Sequence, residues 1–151
     1  MRIITRKLCS MNTLTADNLR NYLKGCNRFE GVLKNLEVIS LENGKCVAEM
    51  DIKKEHTNPI GTLHGGLTAT LVDVISSYGL SSLEKANVAH VSVNLNIRYL
   101  KGGQMGKTIV IESDTVRCGK TLAFLEVTLK DKETGSILAK GEHTKYLLNS
   151  S

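Results

Sequence analysis

Tryptophan is absent, aromatic residues make up only 4% of the chain, and there is a single proline, Pro59. A base-stacking surface needs exposed aromatic rings and has little to be built from here. The core must instead be assembled from Leu, Val, Ile and Ala. No apolar run approaches the roughly 20 residues that cross a bilayer as a helix, so no membrane span is expected. The four cysteines, at 9, 26, 46 and 118, form no C-x-x-C pair, and no histidine stands at finger spacing from one. A structural zinc site is therefore not expected, and neither is a disulfide framework. Cysteines used in this way suit a reducing compartment, cytoplasmic or mitochondrial. Net charge is +5, but the basic residues are dispersed and never form a long run. Such a surface attracts polyanions in general and does not single out nucleic acid as a partner.

The 151 residues and 41% apolar content fit one domain with an ordinary core. The reading divides them into an N-terminal extension with a short helix, 1–28, and a folded domain, 29–148. The first sixteen residues carry Arg2, Arg6 and Lys7 and no acidic group before Asp17. That composition fits both a mitochondrial presequence and a frayed terminus. Leu19, Tyr22, Leu23 and Cys26 lie at i, i+3, i+4 and i+7, which predicts a helix over about 15–26. Strands are expected over about 34–41 and 45–53, joined by the hairpin signal Glu42-Asn43-Gly44-Lys45. The stretch from Leu63 to Leu83 is apolar nearly all round, with Asp73 its only acidic residue, and reads as a long buried helix. Alternating segments over about 90–100, 107–117, 121–130 and 136–147 predict a four-strand antiparallel meander. The layer logic is α+β, a sheet packed on a helix.

The informative stretch runs from His56 through Asn58-Pro59 and His64-Gly65-Gly66 to Asp73. Two glycines at a helix start let a ligand approach closely. The first N–H groups of a helix lack internal partners and sit at the positive end of its dipole, so a carbonyl placed there is polarised. Close packing of helix and sheet is the other use for such a pair. Asn58 before a proline also reads as a turn residue. Asp73 is an acid inside an apolar helix. Burial there is expected to raise its pKa toward the range of a general base. Gly65 and Asp73 are separated by about 12 Å along the helix axis and by about 80° around it. One small carbonyl and its attacking water need partners within about 3 Å. If both residues act on one carbonyl, they come from different subunits, which points to a dimer with composite sites.

The stretch Glu55 to Asp73, together with Val91-Ser92-Val93, Gly119-Lys120-Thr121-Leu122-Ala123-Phe124 and His143-Thr144-Lys145, resembles one group of enzymes. These are the hotdog-fold acyl-CoA thioesterases of the thioesterase superfamily member 2 (acyl-CoA thioesterase 13) group. The likeness extends from about Phe29 to Tyr146. It implies an antiparallel sheet wrapped round a long central helix and hydrolysis of medium- to long-chain fatty acyl-CoA. It implies that Asn58 and the Gly65 N–H hold the thioester carbonyl, that Asp73 and Ser92 orient and activate water, and that His64 braces the site. By itself, Ser92 reads as a serine on the solvent side of its strand. No cofactor is implied, CoA being part of the substrate, and the assembly implied is a homotetramer, a dimer of dimers. For the CoA moiety the likeness suggests Tyr99, Lys101 and Gly102, then Arg117, Gly119, Lys120 and Thr121, and Tyr146. Lys145 is a further candidate for phosphate. The segment Lys101-Gly102-Gly103-Gln104 departs from the family pattern. His56, His90 and His143 read as structural or exposed, and the cysteines as packing residues.

Two other readings remain open. One is an acyl dehydratase on the same fold, which needs a His and acid pair at one carbon. The other is a non-catalytic acyl-CoA sensor or carrier, which has no use for Asp73 beside a thioester.

Overall fold

The computed structural model describes residues 14–86 and 88–148. Arg2, Arg6 and Lys7, on which the presequence reading rests, lie outside the described residues.

Helix α1 spans Ala16–Gly25. Thr15 caps it by accepting from the Asn18 N–H at 3.2 Å, and Asp17 and Lys24 sit at the ends where their charges suit the helix dipole. Its apolar stripe buries Leu19 and Leu23 completely in the main core. Arg20 Nε donates to the Val38 carbonyl at 2.8 Å, which ties the helix to the first strand. Strands β1 (Glu37–Glu42) and β2 (Lys45–Asp51) form the expected hairpin. At its tip Asn43 and Gly44 adopt φ of 51° and 80°, and two such residues in succession give a turn whose twist matches the strands.

Helix α2, Gly65–Ser81, is the central element and touches all six strands. It is followed by β3 (His90–Tyr99), β4 (Thr108–Cys118), β5 (Leu122–Asp131) and β6 (Ile137–Leu147). The sheet runs β1-β2-β4-β5-β6-β3 with every neighbouring pair antiparallel. This is the expected architecture of an antiparallel sheet around one helix. Leu71, Val72 and Ile75 of α2 meet Ile109, Ile111 and Leu129 of the sheet in the main core. Gly141 of β6 lets the helix lie close, since a Cβ there would stand 2.4 Å from Val72 Cγ1.

Two expectations need correction. The four-strand meander is a three-strand meander, β4-β5-β6, and β3 lies on the far side of β6. The link from Tyr99 to Thr108 crosses the sheet's end and satisfies its backbone there instead of forming a hairpin. Leu100 and Lys101 N–H both donate to the Leu138 carbonyl, and the Gly103 carbonyl accepts from Leu63 N–H at 2.7 Å. Asp73 is not buried, its side chain being 47% exposed. Asp73, Ser77 and Ser81 recur every fourth residue, none of them is buried, and together they line a cavity.

The two edges of the sheet are β1 and β3, and β3 leaves Val91, Val93 and Leu95 exposed, at 48%, 60% and 37%. No helix among the described residues is long and apolar enough to cross a membrane. No group of three or more potential metal ligands occurs among them either.

Candidate active site

At the start of α2, the loop from Asn58 to Leu63 is closed on itself by Asn58. Its Oδ1 accepts from the Ile60 and Thr62 N–H groups, each at 3.1 Å, and its Nδ2 donates to Thr62 Oγ1 at 2.8 Å. The two N–H donors identify Oδ1 and so orient the amide. Asn58 is thus the turn residue that its position before Pro59 suggested. An amide nitrogen carries two hydrogens, and the second is not consumed by Thr62. His64 caps the helix, its Nδ1 accepting from the Gly66 N–H at 2.9 Å, and its own N–H reaches the His56 carbonyl at 2.9 Å. The Gly65 N–H begins the helix and has no intrahelical acceptor. Tyr99 donates its hydroxyl to the Gly65 carbonyl at 3.0 Å. A methyl on Gly65 would make only ordinary contact with the Tyr99 ring, 3.5 Å from its nearest atom. Packing within the chain therefore does not require glycine at 65. Asn58, Gly65, Tyr99, Lys101 and Gly102 line one cavity of about 370 Å³.

Asp73 lines a different cavity, of about 450 Å³, with Ser77, Ser92 and Lys145. Asp73 Oδ1 lies 3.8 Å from both His143 Nε2 and Lys145 Nζ. Lys145 Nζ donates to Ser77 Oγ at 2.8 Å and to Ser92 Oγ at 3.3 Å, although its side chain is only 6% exposed. His143 bridges the helix and the edge strand, with Nδ1 2.7 Å from Ser76 Oγ and Nε2 2.9 Å from Ser92 Oγ. Burial first, then the nearby Lys145 charge, push His143 and His90 down to about 4. Both rings are therefore uncharged near neutrality. Burial also lowers the pKa of Lys145, against the opposing pull of Asp73. Further into the same cavity, Tyr78 donates to Glu30 Oε2 at 2.8 Å and meets the Tyr22 ring edge-on. Burial and the Glu30 carboxylate raise the pKa of the Tyr78 phenol above its ordinary value.

Strict alternation along β3 put Ser92 on the solvent side; it is exposed, but on the face of the sheet that carries the Asp73 cavity. The pairing with β6 slips between Ser92 and Asn94, leaving Val93 as an extra residue. The bulge places Ser92 opposite Lys145 and on the same face as Leu95, which stands opposite His143. Lys145, a candidate for phosphate, is buried in the Asp73 cavity instead of lying free on the surface. His143 is neither exposed nor isolated. Both were missed as parts of the site. The available signal was the inward register of β6, which alternates Ala139, Gly141, His143, Lys145 and Leu147 and so puts two ionisable groups among core positions.

The residues suggested for CoA fall into two groups. Tyr99, Lys101 and Gly102 belong to the Gly65 cavity. Arg117, Gly119, Lys120 and Thr121 form the exposed β4–β5 turn, where Gly119 N–H donates to the Leu122 carbonyl and the Thr121 carbonyl accepts from Leu147 N–H. Tyr146 stands opposite both Val91 and Leu122 at this same end. Ser92 and Tyr99 are separated by seven residues of β3, about 23 Å in an extended strand. Within one chain, then, the structure groups Asn58, His64 and Gly65 at one end of α2, and Asp73 and Ser92 in another cavity. Of the cysteines, Cys46 is buried and its thiol is pushed up to about 12 by desolvation, as befits a packing residue.

Residues 60–138 match the family model described as the thioesterase superfamily. The chain is 45% identical over 140 residues to acyl-coenzyme A thioesterase 13 of Homo sapiens, covering 91% of this chain and 99% of that one. Its structure is similar to that of zebra fish thioesterase superfamily member 2, with a TM-score of 0.85 and 40% identity over 89% of this chain and 99% of the other. It is also similar to a Streptococcus mutans protein solved with acetyl CoA bound, at a TM-score of 0.74 and 27% identity, covering 86% and 98% of the two chains.

Proposed function

The chain belongs to the thioesterase superfamily, and on that premise we propose that it hydrolyses acyl-CoA to a free acid and CoA, at sites shared between two protomers. The observation that carries the reading is the grouping of Asp73, Ser92 and Lys145 in a cavity separate from Asn58 and Gly65, with His143 buried behind Ser92. A carbonyl-holding tip and a water-activating acid are both present, and one chain does not bring them to one carbonyl. The exposed apolar edge of β3 supplies a surface for joining two copies. An unpaired strand edge carrying Val91, Val93 and Leu95 is stabilised by pairing with its own equivalent. Antiparallel pairing of two such edges would bring the Tyr99 end of one β3 to the Ser92 end of the other. The two groups of CoA candidates would then meet.

In this reading the thioester oxygen lies against the Gly65 N–H, with the spare Asn58 amide hydrogen beside it. Developing negative charge on that oxygen is favoured by the helix N-terminus. Asp73 of the other protomer takes a proton from a water held by Ser92 as the water oxygen bonds to the carbonyl carbon. The intermediate collapses with cleavage of the C–S bond, and the sulfur leaves with the proton that Asp73 had taken. No serine or cysteine nucleophile and no resident cofactor is required. The cavity beyond Asp73, walled by Val74, Tyr78, Val88 and Leu14, is the place for the acyl group, and medium- to long-chain fatty acyl groups are the substrates proposed.

The test is release of free thiol across acyl-CoAs from acetyl to stearoyl, read with a thiol-reactive dye. Turnover should be lost in Asp73→Ala while the fold is retained. A folded Asp73→Ala protein with wild-type turnover would sink the mechanism.

A further inference from the structure

Among the described residues Lys145 is the one ammonium lining the Asp73 cavity, and no step of the hydrolysis described above uses it. It reaches the cavity from β6, and its side chain is 6% exposed. Its bonds go to the hydroxyls of Ser77 on α2 and Ser92 on β3, and it stands 3.8 Å from the Asp73 carboxylate. A lysine on a solvated surface would not hold two serines from two different elements. Keeping an ammonium so far from water is unfavourable unless its donors are matched, and here each of its three has a facing oxygen.

We propose that Lys145 is a positioning residue for the attacking water, fixing the one bonding direction that the Ser92 hydroxyl leaves open beside Asp73. The proposal rests on the thioesterase reading and deepens it.

The hydrogen-bond arithmetic at Ser92 is restrictive. Its oxygen has one proton and two lone pairs. Lys145 can only donate, so it occupies one lone pair. An uncharged His143 ring either donates from Nε2 or accepts there. If it donates, the second lone pair is filled and the Ser92 proton is left for the water. If it accepts, it takes the proton and one lone pair is left. In both tautomers a single bonding direction remains, beside Asp73. Without Lys145 two directions remain, and the water is no longer confined to one.

The test compares Lys145→Met, which keeps the aliphatic stem, with Lys145→Arg, which keeps the charge. In Lys145→Met, kcat should fall by roughly ten- to a hundredfold, the scale of a water displaced by about 1 Å. KM should stay near wild type. Lys145→Arg, which keeps a group that can only donate, should recover part of the lost kcat. A structural role alone would lower the amount of folded enzyme and leave the kcat of the folded fraction unchanged. Should Lys145→Met fail to fold, Lys145→Gln, whose amide accepts as well as donates and so no longer fixes the Ser92 lone pair, should show the same loss of kcat at unchanged KM. A folded Lys145→Met or Lys145→Gln protein with wild-type kcat overturns the proposal. A wild-type enzyme that releases no thiol from any acyl-CoA overturns the thioesterase reading first and this proposal with it.

Discussion

Ser92 on β3 and Lys145 on β6 stand opposite each other across the outermost strand pair, and the one-residue bulge at Val93 puts the serine on the lysine's side of the sheet. An edge strand tolerates such a slip because only one neighbour must adjust. The same slip leaves Val93 unpaired and 60% exposed on the edge proposed to meet a second protomer. One local irregularity thus serves both the cavity and the edge.

Gly65→Ala separates packing from chemistry at the helix tip. A methyl there makes ordinary contact with Tyr99, and alanine is the better helix former by up to about 1 kcal/mol. Thermal stability should be unchanged or slightly higher. Turnover should fall by roughly a hundredfold or more, the scale of losing one oxyanion donor, because the methyl occupies the approach to the N–H. Equal losses of stability and activity would mean that the glycine is there for packing.

Gly141→Ala should behave in the opposite way. The new methyl would stand 2.4 Å from Val72 Cγ1, so β6 or α2 must move. Overpacking of this kind costs about 1–3 kcal/mol, visible as a lower urea midpoint with an unchanged slope. Adding Val72→Ala should recover part of the loss beyond the sum of the single effects, since the two sites touch.

Acid should weaken the fold before the carboxylates titrate fully. His143 and His90 are both held down to about 4, below the ordinary histidine value of 6.5. Between those values the unfolded chain binds protons that the folded chain refuses, so stability falls as pH drops from about 6.5 toward 4. The measurement is the urea midpoint at several pH values across that window. His143→Gln should flatten the dependence. An unchanged slope in that variant would show that His143 does not carry it.

Much of the fold was legible because it is written locally. Leu63 to Leu83 is apolar on nearly all faces, and only a central helix suits such a segment. The Asn43-Gly44 turn and the alternation in Ala123, Leu125, Val127 and Leu129 are equally local, and all three lie where expected. What depended on distant partners was not legible. The neighbour of β3 is β6, and nothing within either segment says so. The bulge at Val93 exists only relative to that neighbour, so Ser92 was assigned the wrong face. Lys145 was read as a candidate for phosphate because its partners lie 53 and 68 residues away. Asp73 looked buried because its helix is apolar, whereas its own stripe also carries Ser77 and Ser81 and opens on a cavity.

Val93→Lys tests the exposed edge of β3. The residue is on the outside, so the protomer fold should survive, whereas a charge set into an apolar edge opposes pairing. Sedimentation should show a smaller species, and turnover should fall with it. A folded, fully active monomer would mean that each chain works alone.

The strongest test of a shared site mixes two inactive proteins. Asp73→Ala keeps the helix tip and lacks the acid; Gly65→Val keeps the acid and blocks the tip. Neither homodimer has a complete site. In a mixed dimer the intact tip of the first variant faces the intact acid of the second, while the other site has neither. With free exchange at equal amounts, half the dimers are mixed and each has one of two sites, so about a quarter of wild-type activity should return. Exchange itself is checked by following a mass-tagged protomer into mixed dimers. If mixed dimers form and activity stays at background, Gly65 and Asp73 do not meet across protomers, and the grouping of the two cavities has some other cause.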